Sequence, residues 1–362
     1  MSQGLGVTIN RLPVKTWNWL GMNEAVLERG SITKEGRLNA EIPETVIFDT
    51  QKAAPALDKI LTGMGDGIDT LFEEAQIPYR ILRSTAGMKI EETARLRIAS
   101  RGNEETLNRI GLFLEKDSEM TVVMDVSCMQ EREKQAFAGF QTRIYAEENA
   151  RLHLVQVQRL GEAFTCFNDV GIFCKEGAKV ELLQLILGGG TNFYGARAEL
   201  SGKESAWQSD IGYLLRGGQR LDMNYVALHE GKKTNSKISV SGVLRDRASK
   251  LFRGTIDFQT GCGGSEGEET EDVLLLDDTV VNRTIPLILC GEEDVQGNHG
   301  ATIGRLDEKL LFYLQSRGIC REEVYEMMAR ARIDALNARI PDAKVQAGVQ
   351  SWLEGGNGDE CQ

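Results

Sequence analysis

The chain has 362 residues, with 42 Lys plus Arg against 54 Asp plus Glu and a formal net charge of −12. That length can hold a large core and two or three domains, or one long solenoid, and the acidic balance excludes a broad nucleic-acid surface and adhesion to anionic membrane. Thirty-nine glycines against six prolines and 6% aromatics suit short strands joined by tight turns. Seven cysteines, at 128, 166, 174, 262, 290, 320 and 361, include no C-x-x-C pair, which argues against a disulfide framework, a zinc ribbon and a ferredoxin-type cluster site. Met1 to Asn10 lacks a basic stretch followed by an apolar core, and no run approaches a membrane span. The expectation is a cytoplasmic protein without a membrane anchor.

An N-terminal region, 1–76, opens with Leu12-Pro13-Val14-Lys15-Thr16-Trp17-Asn18-Trp19-Leu20. Trp17 and Trp19 are expected to anchor this segment on the main body. Ala53 to Leu61 and Ile68 to Ala75 read as helices broken by the turn Gly63-Met64-Gly65-Asp66-Gly67, and Glu44 to Asp49 as a short strand. The region as a whole is expected to be mixed and mostly helical.

From 77 to 298 the text changes to short alternating strands cut by Gly, Asp and Asn. Polar turns precede apolar strand residues in Lys116-Asp117-Ser118-Glu119, Glu147-Glu148-Asn149-Ala150, Lys175-Glu176-Gly177-Ala178 and Lys203-Glu204-Ser205-Ala206. Val122, Leu152, Val180, Trp207 and, after a half-step at Leu221, Leu251 recur at roughly 28 to 30 residues, a spacing typical of stacked repeats. A β-sandwich or jelly roll would also give short strands, but has no reason to repeat one turn composition at fixed spacing. A mainly β fold with a β-solenoid core is predicted, flanked by the N-terminal mixed region and a C-terminal helical region.

The segment Asn298-His299-Gly300-Ala301-Thr302-Ile303-Gly304 leads into Leu306-Asp307-Glu308 and Leu310-Leu311-Phe312-Tyr313-Leu314-Gln315-Ser316-Arg317-Gly318. Asp307 is a fitting cap for a helix with Leu306, Leu310, Tyr313 and Leu314 on one side, and Gly318 ends it. A second helix is expected from about Arg321, with Val324, Met327, Met328 and Ala331 on one face and Pro341 beyond its end. The helical pair is placed at 299–344, and the glycine-rich tail, 345–362, is expected to be frayed.

This ordered run, His-Gly-Ala-Thr-x-Gly, then Leu-Asp-Glu, then Phe-Tyr-Leu-x-Ser-Arg-Gly-Ile, resembles the C-terminal signature of the SufB/SufD family, the scaffold subunits of the SUF iron–sulfur cluster machine, and Leu12-Pro13 to Trp17 resembles the opening of its short members. The resemblance implies a right-handed parallel β-helix. It also implies that a SufC-type ABC ATPase docks on the helical pair, through Leu310, Leu311, Tyr313, Leu314, Arg317, Val324 and Met327, and that the β-helix pairs with a SufB-type paralogue or a second copy of the chain. The equivalent of His299 in SufD is linked with nascent-cluster formation. A transient iron–sulfur cluster shared with the partner is thus the one cofactor expected. SufB proteins carry His-Glu-Ala-Thr and a cysteine upstream; here Gly300 and Glu271 stand in those positions, and Gly297 replaces the common SufD cysteine, so the chain looks closer to SufD.

His299, at the junction of last strand and helices, is the first candidate ligand, since imidazole suits iron, with Glu271 and Cys262 beside it as further candidates. Cys262 lies in the loop Gly261-Cys262-Gly263-Gly264 and is expected to be the most exposed thiol, whereas Cys128 and Cys290 sit on apolar strands and read as core residues. A lone histidine without thiolates supplies at most part of a shared site. Gly188-Gly189-Gly190-Thr191 and Arg216-Gly217-Gly218-Gln219 lack the P-loop ending, so ATP hydrolysis belongs to another chain, and His153 and His229 read as ordinary strand and turn residues. The expectation is a non-catalytic scaffold. The rivals are a purely structural partner whose His299 touches no metal, and a β-helix polysaccharide-active enzyme with Asp257 and Asp272 as paired acids.

Overall fold

The computed structural model describes residues 6–16, 18–28, 34–101, 104–130 and 135–355. Its body is a parallel β-solenoid of about 8 turns. A first sheet stacks Tyr79–Arg83, Glu105–Leu114, Ala136–Ala146, Phe164–Cys174, Thr191–Leu200, Arg220–His229, Ser249–Phe258 and Val281–Cys290. The second sheet stacks Ala94–Arg101, Glu119–Gln130, Arg151–Arg159, Lys179–Ile186, Ala206–Leu215, Asn235–Leu244, Ser265–Leu275 and Val295–Arg305. The chain alternates between the sheets, so each strand pairs with the one a full turn away. Inward side chains from both fill the lumen with Leu, Ile, Val and aromatic residues.

The repeated polar turns are the corners. Asp117, Asn149, Gly177, Glu204 and Lys233 adopt positive φ, between 56° and 66°. Their amides donate to the corner above, as in Asn149 N to Glu176 O at 2.8 Å and Gly177 N to Lys203 O at 2.9 Å. The left-handed conformation favours Asn, Asp and Gly, and that preference gives the sequence its rhythm. Leu152, Val180 and Trp207 stand in one register as expected. Val122 does not: it faces Leu154, and Met120 is the partner of Leu152. Leu221 and Leu251 lie in the other sheet and are one residue out of register with each other.

The two ends differ. At the N-terminal end the antiparallel strands Leu38–Glu41 and Ile47–Gln51 cover the edges of Ala94–Arg101 and Tyr79–Arg83 and so become the terminal strands of the two sheets, in the manner of a cap on a repeat stack. The chain then runs along the outer face of the first sheet through α1 (Pro55–Asp58) and α2 (Asp66–Glu74). Phe72 meets Phe167 edge-on there, with centroids 6.1 Å apart. Buried Arg143 joins Asp69 at 2.5 Å and the Tyr79 hydroxyl at 2.9 Å, and Asp169, with no exposed surface, accepts from Met64 N at 2.9 Å. The expectation of a mostly helical N-terminal region is corrected: strands outnumber helices in it, because its edges finish the solenoid. Trp19 is 99% exposed and anchors nothing, and Trp17 lies outside the described residues.

Three helices follow the solenoid: α3 (Glu308–Ser316), α4 (Arg321–Asn337) and α5 (Ala343–Leu353). Asp307 caps α3 as predicted, accepting from Lys309 N at 2.9 Å. Helices α4 and α5 bury Tyr325, Ala329, Ile333, Val345, Val349 and Leu353 on the outer face of the second sheet, against Val155, Leu183, Leu185, Leu214 and Val243. The expectation of a frayed tail from Val345 is corrected, since Val345, Val349 and Leu353 at helical spacing give α5 a buried stripe. No described helix is long and apolar enough to cross a membrane.

Candidate functional site

The C-terminal end of the solenoid is uncovered. Beyond Val281–Cys290 and Val295–Arg305 no described strand pairs, so both edges face solvent. Inward positions of this last turn, which would be core elsewhere, are exposed: Ile288 at 36% and Ile303 at 48%. An apolar lumen mouth with two free strand edges has the chemistry that a further strand or turn could cover.

His299 opens into this mouth. It was expected at the junction with the helices, but it lies in the middle of Val295–Arg305, in register with Glu269 of the turn below. The strand runs on to Arg305 because Ala301 and Ile303 keep the two-residue alternation. The His299 side chain is 27% exposed, and its Nδ1 is 3.4 Å from Glu269 Oε1. Glu269 is buried, its Oε1 has no hydrogen-bond partner, and burial, reinforced by neighbouring Glu271, pushes its carboxyl up to about 8.

Glu271 also points inward, but it is committed: it forms an ion pair with the fully buried Lys250 and accepts from Thr284 Oγ1 at 2.6 Å. Lys250 Nζ also reaches Thr284 Oγ1 at 3.0 Å, and burial lowers the Lys250 ammonium from its ordinary value. Two carboxyl groups thus stand beside one ammonium. Glu271 is therefore held inside the turn by Lys250 and Thr284 and does not face solvent.

Cys262 is corrected outright. Its loop is stacked under the next turn, with Gly264 N donating to Asp294 O at 2.6 Å, and its thiol is buried with Ile256, Phe258 and Val295. Cys290, expected in the core, is exposed, because no described strand stacks on the last turn; Cys128 is half-buried. Reading by type missed Glu269 and Cys290. The alternation Glu269, Glu271, Val273 was the available signal, since it puts both acids on the face of a core valine. Among the described residues no three His, Cys, Asp or Glu side chains are assembled as a metal site.

On the helices, Leu310, Phe312, Tyr313 and Met327 are 42%, 74%, 51% and 56% exposed. Leu311 and Val324 are buried instead, and Leu314 is half-buried. The Arg317 guanidinium lies over the Tyr313 ring at 5.1 Å. Helix α4 is tied to the solenoid by Arg245 to Glu326 at 2.5 Å and to Glu322 at 2.7 Å, and by Arg332 to Asp272 at 2.6 Å.

The pairing of Asp257 with Asp272 as catalytic acids does not hold. Asp257 is on the outer face of the first sheet and Asp272 on that of the second, and Asp272 is engaged by Arg332. His229 is buried between Thr234 Oγ1 at 2.7 Å and Ser236 Oγ at 2.8 Å, a structural role.

Residues 97–332 match the family model described as SUF system FeS cluster assembly, SufBD core domain. The chain is 25% identical over 222 residues to the iron-sulfur cluster assembly protein SufD of Bacillus subtilis (strain 168), covering 61% of this chain and 51% of that protein. It is 32% identical over 124 residues to a SufBD family protein of Mycobacterium leprae (strain TN), 34% of this chain and 14% of that one. With a chloroplastic SufBD family protein of Arabidopsis thaliana it shares 25% identity over 204 residues, 56% of this chain and 37% of the other. The matches thus span about half or less of each relative's length.

Proposed function

The chain belongs to the SufBD family of the SUF iron–sulfur cluster assembly system, and on that premise we propose that it is a SufD-like, non-catalytic scaffold subunit. The observation that carries this reading is the uncovered C-terminal turn, where His299 stands inside an apolar mouth bounded by two free strand edges. A SufB-type paralogue or a second copy of this chain adds its own last turn there, and the nascent cluster forms between the two with His299 as this chain's contribution. A partner thiolate is needed, because clusters are held chiefly by cysteine.

The second surface is α3, whose exposed Leu310, Phe312 and Tyr313, with Met327 of α4, suit a SufC-type ABC ATPase. Closure of the ATPase pulls on α3 and α4, and the Arg332–Asp272 pair carries that displacement to the strand Ser265–Leu275, which holds Glu269 and Glu271.

The test is co-purification with a SUF ATPase and a SufB-type subunit, followed by anaerobic reconstitution read by the visible chromophore, with and without His299→Ala. A complex whose chromophore falls with His299→Ala supports the shared site. A complex with an unchanged chromophore makes the chain a structural arm, and no complex at all overturns the scaffold reading.

A further inference from the structure

We propose that Glu269 and His299 together form a two-ligand site for a divalent transition-metal cation at the mouth of the solenoid. This deepens the scaffold reading and rests on it for the ion's identity, iron(II) as cargo. Nδ1 of His299 and Oε1 of Glu269 are 3.4 Å apart. Two donors each roughly 2.1 Å from one ion stand about 3.0 to 3.4 Å apart in octahedral or tetrahedral geometry, so an ion fits between them with little movement of either side chain. Nitrogen and carboxylate oxygen are a donor pair suited to borderline divalent ions.

Glu269 supplies the second, independent observation. Its residue is 1% exposed, and Oε1 has no hydrogen-bond partner although it is aimed at His299. Leaving a buried carboxyl oxygen unpaired is costly, and a bound cation removes that penalty. The other oxygen is accommodated by Gly254, where a Cβ would come within 1.9 Å of Glu269 Oε2. Lys250 is held by Glu271 and Thr284, so its ammonium is already paired and leaves Glu269 Oε1 to the mouth. The ion enters through the mouth, where the His299 side chain is 27% exposed, and water or a partner completes its coordination.

The test is titration of the full chain with Co(II), read by calorimetry and by paramagnetic shifts of the imidazole protons, which three histidines make assignable. One site is expected, with the shifted ring that of His299, and His299→Ala, Glu269→Gln and Glu269→Asp each weakening binding at least tenfold while thermal unfolding shows the variants folded. Wild-type affinity in a folded Glu269 variant overturns the proposal, as does a shift on His153 or His229, or no binding. If the Glu269 variants do not fold, the identity of the shifted ring and His299→Ala still decide. Cobalt binding without ATPase or paralogue co-purification would sink the scaffold reading alone; a cluster-forming complex from a chain that binds no cobalt would sink this inference alone.

Discussion

Arg95, on the first parallel strand of the second sheet, forms an ion pair with Asp342, the cap of α5, 247 positions later. Asp342 also accepts from Lys344 N at 2.9 Å and Val345 N at 3.0 Å. Burial acts to raise its carboxyl, but these amides and Arg95 hold it below the ordinary value. Asp342→Ala should destabilise the C-terminal helix by about 1–2 kcal/mol, mostly through the lost cap, because Arg95 is partly exposed. Limited proteolysis should then cut sooner within 343–355; an unchanged cleavage rate would show that the cap does not hold α5. A carboxyl lowered in the fold stabilises above its unfolded value, so this contribution fades as pH drops below about 4.

Asp169 behaves in the opposite sense. Burial raises its carboxyl from 3.8 to about 7, so the native state keeps a proton that the unfolded chain releases, and stability falls as pH rises through that window. His229, lowered by burial from 6.5 to about 4, opposes this over part of the range, since the unfolded chain takes up the proton there and stability rises with pH. Asp169→Asn isolates the carboxyl. Relative to wild type it should gain roughly 2 to 4 kcal/mol in going from pH 5 to pH 8, read as urea midpoints at both values. Equal shifts at the two pH values would show that Asp169 is not protonated in the fold.

Gly254→Ala drives a methyl into the Glu269 carboxylate. The backbone on both sides is a paired strand, so the carboxylate must give way. A loss of about 1–3 kcal/mol is expected, and the measurement is thermal unfolding of the variant against Gly242→Ala, where the obstruction is the Tyr213 ring. Wild-type stability in Gly254→Ala would mean that the carboxylate swings away freely.

Ile303→Lys and Ile288→Lys place charge in the lumen mouth. Both positions are already exposed in the single chain, so monomer stability should change by no more than about 0.5 kcal/mol. Association with a SufB-type subunit or with itself, read by sedimentation, should weaken at least tenfold. Intact association would move the interface elsewhere.

Phe312→Glu with Tyr313→Ala should abolish ATPase co-purification while leaving the unfolding midpoint unchanged, since neither side chain is core. Retained binding would remove α3 from the docking surface.

Much of the solenoid was legible because its corners demand left-handed backbone at one place per turn, and Asp117, Asn149 and Gly177 answer that demand in the text. The cap Asp307 and the break at Gly318, whose φ is 88°, were legible for the same local reason. What depended on the neighbouring turn was not. Cys262 sits among glycines yet is covered by the turn above, and Cys290 sits among apolar residues yet has no turn above it. Trp19 looked like an anchor by its size, although Leu12 and Met22 pack on Ile285 and Leu251 in its place. Helix α5 was hidden by the polar, glycine-rich text that follows it.

The two ends of the solenoid are unlike: one stops in the antiparallel strands Leu38–Glu41 and Ile47–Gln51, the other in the parallel strands Val281–Cys290 and Val295–Arg305. If two chains meet as proposed, through their C-terminal turns, the contact uses up that end on both members, so this geometry yields a closed pair and not a growing stack.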